Sequence, residues 1–232
     1  MSETLLLDGL QKALNYRFRD AALLRQALTH RSAQGAHNER LEFLGDSILG
    51  FVIAAKLYQL FPEANEGQMT RLRARLVKEK SLAEIAHELA LGELLNLGSG
   101  ELKSGGYRRA SILSDAFEAL LGAVYLDSGL PAAEQVIHHL YLSRYQALSL
   151  SMAEKDPKTR LQEWLQSRRQ ALPDYQVVKS EGKDHNKMYW VECHLTNSHQ
   201  SEAQTLATTA SGSSRRKAEQ SAAEKMLEKL GV

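Results

Sequence analysis

The sequence predicts two domains, an all-α domain followed by a small α+β domain with the element order α-β-β-β-α. Apolar residues recur at helical spacing through the first part of the chain, and no strand-like alternation interrupts them. Three strand-like runs then follow between two further helical patterns. The polar residues between the two parts suit a linker. We therefore expect a first domain at 1–149, a linker at 150–156 and a second domain at 157–232.

Residues that begin helices mark the first domain. Asp20 precedes AALLRQAL as an N-cap, and Ser81 with Glu84 has the spacing of a capping box before LAEIAHELA. Pro131 stands where the first position of another helix is expected. These positions predict where three of the helices begin.

The segment from Glu39 to Phe61 is long and apolar on nearly all sides. Its apolar residues include Leu41, Phe43, Leu44, Ile48, Leu49, Phe51, Val52 and Ile53. A helix that is hydrophobic all round is buried in a larger core. We expect this helix to be central, with the other helices packed around it.

The second domain opens with Asp156 and Pro157, an N-cap and a first helical position for a helix that extends through Arg169. The predicted strands are Tyr175 to Ser180, Met188 to Leu195 and Glu202 to Thr209. Ser213 or Ser214 caps the closing helix. Its apolar positions recur at helical spacing, at Ala218, Ala222, Met226 and Leu230.

Composition excludes several classes of protein. The 232 residues are 43% hydrophobic and 25% charged, which excludes a disordered chain. Cys193 is the single cysteine, so a disulfide framework is excluded and a reducing compartment is expected, with Cys193 buried in a strand. The N-terminus lacks the pattern of a signal peptide, and no window approaches the roughly 20 apolar residues of a membrane span. We expect a cytoplasmic protein without a membrane partner or a small-molecule cofactor.

Charge is distributed unevenly along the chain. The residues before Pro157 include 17 basic and 19 acidic side chains, whereas those from Pro157 onward include 12 basic and 9 acidic ones. The net charge therefore changes from −2 to +3. This modest asymmetry favours a polyanionic partner for the second domain.

Five carboxylates stand at helical spacing in the first domain. Glu39, Glu42 and Asp46 project from one face of the long apolar helix, and Asp115 and Glu118 lie three residues apart on another apolar helix. Buried carboxylates require a positive partner. Four oxygen donors from two packed helices suit Mg²⁺, which can activate water and neutralise charge on a phosphodiester.

Ion pairing is the alternative for these acids. Six arginines are available to neutralise them, namely Arg40, Arg71, Arg73, Arg75, Arg108 and Arg109. Such pairs are common on helices. The residues alone leave a metal site and a set of ion pairs about equally favoured, whereas a nucleophilic serine has little support because no G-x-S-x-G turn is present.

The run NERLEFLGDSIL resembles the characteristic motif of the ribonuclease III family. The run from Gly98 to Gly129, which includes YRRASILSDAFEALLGAVYLDSG, resembles the second conserved block of the same family. DPKTRLQEW and GSSRRKAEQSAAEKML resemble the start and end of its double-stranded-RNA-binding domain. The resemblance covers essentially the whole chain.

The resemblance implies a homodimeric nuclease domain that cuts double-stranded RNA. It places the metal ligands and catalytic acids at Glu42, Asp46, Asp115 and Glu118. It implies Mg²⁺ as the cofactor, with Mn²⁺ substituting and Ca²⁺ supporting binding without cleavage. Glu39 and Glu66 match two further acidic positions, with roles in RNA contact, support of the ligands or the subunit interface. Products with 5′-phosphates, 3′-hydroxyls and two-nucleotide 3′ overhangs, and processing of ribosomal RNA precursors, are also implied.

Three elements of the second domain are candidates for contact with an RNA duplex. Gln162 and Glu163 lie on the outer face of its first helix, and His185 lies in the turn GKDHNK. The basic run of Arg215, Arg216 and Lys217 opens the last helix, where the helix dipole disfavours cations. Phosphate binding accounts for cations at that position.

The chain departs from the family pattern at one position before this last helix. Ala210 stands where the family often has the first glycine of Gly-x-Gly. A glycine at that position would serve a tight turn. We therefore expect a small change in loop shape at Ala210, with RNA binding retained.

Two other functions compete with a nuclease. A non-catalytic RNA-binding protein would be expected to lack one of the four acids, and none is missing. A hydrolase of small phosphoesters would leave the second domain unexplained, and the His-Asp ligand pairs of helical phosphohydrolases are not present.

Overall fold

The computed structural model describes residues 3–183, 187–196 and 205–232. The chain forms two compact units, Met1–Ala153 and Glu154–Val232. Within the described ranges, no helix is both long enough and apolar enough to cross a membrane. The two units have separate hydrophobic cores.

The first unit is helical, as predicted. Its helices are α1 (Glu3–Ala13), α2 (Ala21–Ala27), α3 (Glu39–Leu60), α4 (Glu66–Val77), α5 (Glu79–Glu88), α6 (Ser99–Lys103) and α7 (Ala110–Gln146). Short 3-10 turns occur at Leu91–Glu93, Gly106–Arg108 and Leu150–Ala153. The last turn belongs to this unit, because Ala153 is fully buried there and its carbonyl accepts a hydrogen bond from Arg71 Nε at 2.6 Å.

The core of the first unit lies between α3 and α7. The prediction that α3 is a central helix is confirmed for one face, where Leu49, Ile53 and Leu57 are fully buried. Burial on nearly all sides is wrong, because Phe43 and Phe51 are exposed. The facing part of α7 contributes Phe117 and Leu120, which are also fully buried. Burying side chains of this size stabilises a fold by about 1.5–3 kcal/mol each. Helices α3 and α7 therefore form a rigid framework for the side chains that they carry.

The positions at which the helices begin agree only in part with those predicted from the sequence. Asp20 caps α2 as predicted, and its carboxylate accepts a hydrogen bond from Ala22 N at 2.8 Å. Pro131 lies in the first turn after Gly129, where a φ of +77° interrupts α7. The predicted capping box at Ser81 is wrong, because α5 already begins at Glu79 and the Ser81 hydroxyl donates to the Arg75 carbonyl.

The second unit has the predicted order α-β-β-β-α. Its elements are α8 (Pro157–Ser167), β1 (Asp174–Glu181), β2 (Met188–Thr196), β3 (Thr205–Gly212) and α9 (Arg215–Leu230). The strands form an antiparallel sheet in the order β1-β2-β3. The helix α8 ends before Arg169, which adopts a left-handed φ of +56°. The first residues of the third predicted strand, 202–204, lie outside the described ranges.

Both helices of the second unit pack on the sheet around Leu161, Leu165 and Met226. Cys193 is buried in β2, as predicted. Ser214 is the N-cap of α9, and its hydroxyl accepts a hydrogen bond from Lys217 N at 3.2 Å. These contacts fix the position of the first turn of α9.

The expected change in loop shape at Ala210 is wrong. Ala210 lies within β3 and pairs with Val191, so its position requires no tight turn. Gly212 is the residue that must be small, because a Cβ there would lie 2.5 Å from Ala218 N.

Candidate metal centre and nucleic-acid interface

Two glycines allow α3 and α7 to approach at backbone contact. A Cβ on Gly45 would lie 1.8 Å from the carbonyl oxygen of Glu118, and a Cβ on Gly122 would lie 2.2 Å from that of Leu41. Neither distance is compatible with a side chain. Sequence reasoning missed both positions, although a glycine inside an apolar helix often marks such a close approach.

This approach brings three of the predicted carboxylates together. Glu42 on α3 and Asp115 and Glu118 on α7 have ligand oxygens that all lie within 4.8 Å of one another. All three side chains are half-buried. Asp46 lies one turn beyond Glu42 on α3 and is exposed, outside this group of three but close enough to act on the charge of Glu118. Glu42 of α3 and the acidic pair of α7 therefore converge on one site, with Asp46 at its edge.

The convergence raises the pKa values of the clustered acids. Burial, followed by the negative charges of Asp46, Asp115 and Glu42, raises the pKa of Glu118 to about 8. Burial and the charge of Asp115 raise the pKa of Glu42, and burial is the main cause of the raised pKa of Asp115. The folded chain thus holds negative charge that a cation would stabilise.

The arginine pairs considered as an alternative do not form in the part of the chain that the structure describes. Across those ranges, no basic nitrogen lies within 4.0 Å of a carboxylate oxygen of Glu42, Asp46, Asp115 or Glu118. Arg109 instead pairs with Glu101 at 2.7 Å. Among the described residues, the acids therefore have no basic side chain in direct contact.

A cavity of about 520 Å³ opens beside the cluster. Its wall includes Glu39, which pairs with Arg31 Nη1 at 3.0 Å and lies 3.6 Å from His37 Nδ1. The other lining residues include His30, Arg31, Ser32, Arg109, Ser111 and Asp115. Sequence reasoning considered Arg109 but missed His30 and Arg31, because these two residues lie in the segment before α3 and carry no helical spacing to the acids.

Glu66 occupies a different site from the carboxylate cluster. It lies in the first turn of α4 and accepts a hydrogen bond from Thr70 Oγ1 at 2.9 Å. It lines a second, smaller cavity together with Tyr58 and Met69. Within one copy of the chain, Glu66 is therefore not part of the wall around Glu42 and Asp115.

The second unit gathers polar side chains in a groove between α8 and α9. Gln162 lines this groove with Arg215, Arg216 and Lys158. Arg215 Nε donates to Glu219 at 2.9 Å, whereas no salt bridge is found for Arg216 or Lys217 among the described residues. Arg216 and Lys217 are both exposed in the first turn of α9. These two cations are therefore available to an anion.

The sequence also predicts RNA contacts at Glu163 and His185. Glu163 accepts a hydrogen bond from Lys155 Nζ at 2.6 Å, and it is not among the residues that line the groove of Gln162. Its charge is thus balanced within the unit. His185 lies outside the described residues.

Comparisons with known proteins agree with this architecture. The model of the Ribonuclease-III-like family matches residues 20–145, and that of the double-stranded RNA binding motif matches residues 157–230. The chain is 53% identical over 224 residues to Ribonuclease 3 of Vibrio campbellii, with 97% of each protein covered. It is also 53% identical over 227 residues to Ribonuclease 3 of Buchnera aphidicola from Schizaphis graminum, again with 97% of each covered.

A solved structure resembles the first unit. The nuclease domain of ribonuclease III from Campylobacter jejuni is 41% identical, with a TM-score of 0.59, and the match covers 60% of this chain and 99% of that one. That domain shows structural flexibility in a region involved in dimer formation. The helical unit with its carboxylate cluster, the α-β-β-β-α unit and the near full-length identity lead to one conclusion. The chain belongs to the ribonuclease III family of endoribonucleases.

Proposed function

We propose that this protein is a Mg²⁺-dependent endonuclease of double-stranded RNA. The observation that supports it most is the convergence of Glu42, Asp115 and Glu118 within 4.8 Å, without a basic side chain in direct contact among the described residues. Acids arranged in this way are costly in the absence of a cation. A structural role alone does not account for them.

The donor set fits Mg²⁺. Carboxylate oxygens are the ligands that this ion prefers, and a half-open site leaves room for the water that it retains. Glu42, Asp46, Asp115 and Glu118 would hold it. When bound, the ion would supply an activated water and neutralise charge on the phosphodiester.

The side chains themselves set the conditions for this chemistry. Glu118 must give up its proton to serve as a ligand at neutral pH, because its pKa lies near 8 without a cation. The Ser114 hydroxyl donates to the Ser111 carbonyl at 2.8 Å and lies 3.4 Å from Asp115 Oδ1, beside that carboxylate. The fixed backbones of α3 and α7 hold Glu42, Asp115 and Glu118 together, whereas the exposed side chain of Asp46 would have to turn toward the ion to join them.

The second unit would supply the preference for duplex RNA. A-form RNA displays its 2′-hydroxyls in a wide minor groove, and phosphates border its narrow major groove. Gln162 can donate to and accept from a 2′-hydroxyl. Arg216 and Lys217, with the N-terminus of α9, can bind phosphates. His185 remains a proposed second minor-groove contact.

Glu163 remains a proposed contact as well, but one that would have to exchange its bond with Lys155 for a bond to RNA. Glu39 would assist at the edge of the metal site, where it already balances Arg31. These two assignments depend on the family resemblance more than on the geometry.

We also propose that two copies of the chain associate through α3. Phe43, Phe51 and Tyr58 recur on one face of this helix and are 78%, 58% and 72% exposed. A row of large apolar side chains in contact with water indicates a protein interface. Tyr58 also borders the cavity that contains Glu66, so a second copy on this face would approach Glu66.

A dimer of this kind has two cleavage sites, one for each strand. We propose products with 5′-phosphates, 3′-hydroxyls and two-nucleotide 3′ overhangs. Precursors of ribosomal RNA and other structured transcripts in the cytoplasm are the proposed substrates. Mn²⁺ should replace Mg²⁺ in cleavage, whereas Ca²⁺ should support RNA binding only.

The direct test uses an end-labelled RNA duplex and its separated strands. Each is incubated with the purified protein in Mg²⁺, in Ca²⁺ and in EDTA. Cleavage of the duplex alone, and only in Mg²⁺, is the expected result. Tight binding without cleavage in every condition would instead favour the non-catalytic RNA-binding protein.

A further inference from the structure

His30 lines the same cavity as Glu42 and Asp115, and it belongs to the segment between α2 and α3. Hydrogen bonds hold this segment against the residues that precede α6. The backbone N–H of His30 donates to the Asn96 carbonyl at 3.0 Å, and the backbone N–H of Gly98 donates to Ser32 Oγ at 2.9 Å. A Cβ on Gly98 would lie 2.1 Å from the Ser32 carbonyl oxygen, so the two segments are in backbone contact.

The hydrogen bonds around His30 select one tautomer of its ring. The Ser32 backbone N–H can only donate, and it lies 3.2 Å from His30 Nδ1. The Ser32 hydroxyl lies 2.8 Å from the same nitrogen and already accepts from Gly98. Because the Ser32 backbone N–H can only donate, Nδ1 must act as an acceptor, and the Ser32 hydroxyl can then donate its proton to the same nitrogen. The proton of the neutral ring is thus on Nε2.

Nε2 is the part of this ring that can contact a ligand. No hydrogen-bond partner for it is found among the residues that the structure describes, whereas two cations of the same wall are already engaged. Arg31 pairs with Glu39 at 3.0 Å, and Arg109 pairs with Glu101 at 2.7 Å. His30 thus presents a donor with a fixed orientation beside acidic groups that would hold a cation.

A phosphate is the group that matches this combination. Its oxygens can bind a cation held by the carboxylates and accept a hydrogen bond from the wall at the same time. We propose that His30 is a substrate-binding residue whose Nε2–H donates to a non-bridging oxygen of the RNA phosphate held in this cavity. The inference rests on the proposed function, because it assumes that RNA is cut at this site. A donor of fixed orientation aligns the phosphate.

Two substitutions separate this role from a structural one. In His30→Asn, the side-chain oxygen can replace Nδ1 as the acceptor for Ser32, but the donor at the position of Nε2 is lost. In His30→Gln, the amide nitrogen can replace Nε2, but the acceptor for Ser32 is lost. A structural role predicts that Asn is the better replacement, whereas a role as donor predicts that Gln is. His87→Ala on α5 is the control, since His87 is exposed and does not line this cavity.

The first measurement is single-turnover cleavage of duplex RNA in Mg²⁺, with RNA binding measured separately in Ca²⁺. We expect His30→Asn to cut about 10- to 100-fold more slowly, as for loss of a hydrogen bond to a charged group. We expect the cleavage rate of His30→Gln to stay within about threefold of that of the unsubstituted protein. Both variants should bind the duplex with unchanged affinity. Equal activity of all the variants, or better activity of Asn than of Gln, would overturn the proposal. Absence of cleavage by the unsubstituted protein would contradict the proposed function instead.

The second measurement does not depend on activity. Two-bond ¹H–¹⁵N spectra of the metal-free protein distinguish the tautomers of each histidine, and the His30→Gln variant identifies the signals of His30. The expected result is that the neutral form of the His30 ring carries its proton on Nε2. A ring protonated on Nδ1 would remove the basis of the inference.

Discussion

The carbonyl oxygen of Glu118 occupies the space that a Cβ of Gly45 would need, at a distance of 1.8 Å. This contact links the packing of α3 and α7 to the carboxylate cluster, because the backbone of Glu118 touches Gly45 while its side chain is part of the cluster. The distance between the two helices therefore determines whether Glu42 can meet Asp115 and Glu118.

Substitution of Gly45 by alanine should separate the helices and disrupt the cluster. We expect Gly45→Ala to lose Mg²⁺-dependent cleavage and to be destabilised by about 1–3 kcal/mol through overpacking. Gly9→Ala in α1 is the control, since nothing outside the backbone of its own helix lies within 4 Å of its added Cβ and Gly9 is not on α3. Alanine there should keep full activity and stabilise the helix by about 0.5–1 kcal/mol. Cleavage assays measure the activity of both variants, and denaturant unfolding measures their stability. A Gly45→Ala protein that still cleaves RNA would contradict the role of this close approach.

The metal-free protein should lose stability as the pH rises. The pKa of Glu118 is about 8 in the fold, above its usual value of 4.5, so the folded state holds a proton that the unfolded state has released between these values. The contribution of Glu118 to the free energy of unfolding is therefore greatest below about pH 4.5, and it is lost as the pH rises to about 8. Thermal unfolding in EDTA should show a midpoint that decreases over this interval.

Glu118→Gln is the control for this pH dependence, because glutamine does not ionise. Its midpoint should fall less steeply with pH, and at about pH 8 it should exceed that of the unsubstituted protein in EDTA. Mg²⁺ should raise the midpoint of the unsubstituted protein much more than that of the variant. Identical pH profiles would show that Glu118 does not carry the raised pKa.

The cations of α9 should determine the salt dependence of RNA binding. Arg216 is exposed and has no salt bridge among the described residues, so its loss should remove one phosphate contact. The slope of log K against log salt should then decrease in magnitude by roughly 0.7–0.9 for Arg216→Ala. Lys229→Ala, in the last turn of the same helix, should leave the slope unchanged. An unchanged slope for Arg216→Ala would exclude this residue from the RNA contacts.

The exposed row on α3 should determine the oligomeric state. A charge at Phe51 would have to be buried in a dimer that uses this face, so we expect Phe51→Asp to be monomeric. Leu142→Asp is the control, since Leu142 on α7 is equally exposed at 58%. Sedimentation measurements should show a dimer for the control and for the unsubstituted protein. A dimeric Phe51→Asp variant would contradict an interface on this face.

The fold class and the order of the elements could be predicted because they depend on periodicity and caps within short stretches of chain. Glu39 to Phe61 is apolar nearly all round, and α3 does contribute a buried face to the core, although its apolar residues Phe43 and Phe51 are exposed. Ser81 was misassigned because its hydroxyl bonds to the Arg75 carbonyl, a contact with the preceding helix. The Asn65–Gln68 capping box of α4, which the sequence contains, was overlooked.

The carboxylates could be placed on helix faces from spacing, but their meeting across two helices could not. That meeting depends on Gly45 and Gly122, whose effect appears only when the helices pack. The wall of the cavity is even less predictable, because His30 and Arg109 come from segments far apart in sequence. Likewise, the bond of Glu163 to Lys155 depends on the local path of the chain before α8.

Glu118→Gln tests the central claim most directly, which is that the acid cluster performs the cleavage while the second unit holds the RNA. Cleavage of an end-labelled duplex is measured in Mg²⁺, and binding of the same duplex is measured in Ca²⁺. We predict that cleavage falls by at least about 10³-fold, more than the 10- to 100-fold typical of a residue that only supports a ligand. Binding should stay within about threefold of the unsubstituted protein. Retained cleavage, or an equal loss of cleavage and binding, would contradict the claim.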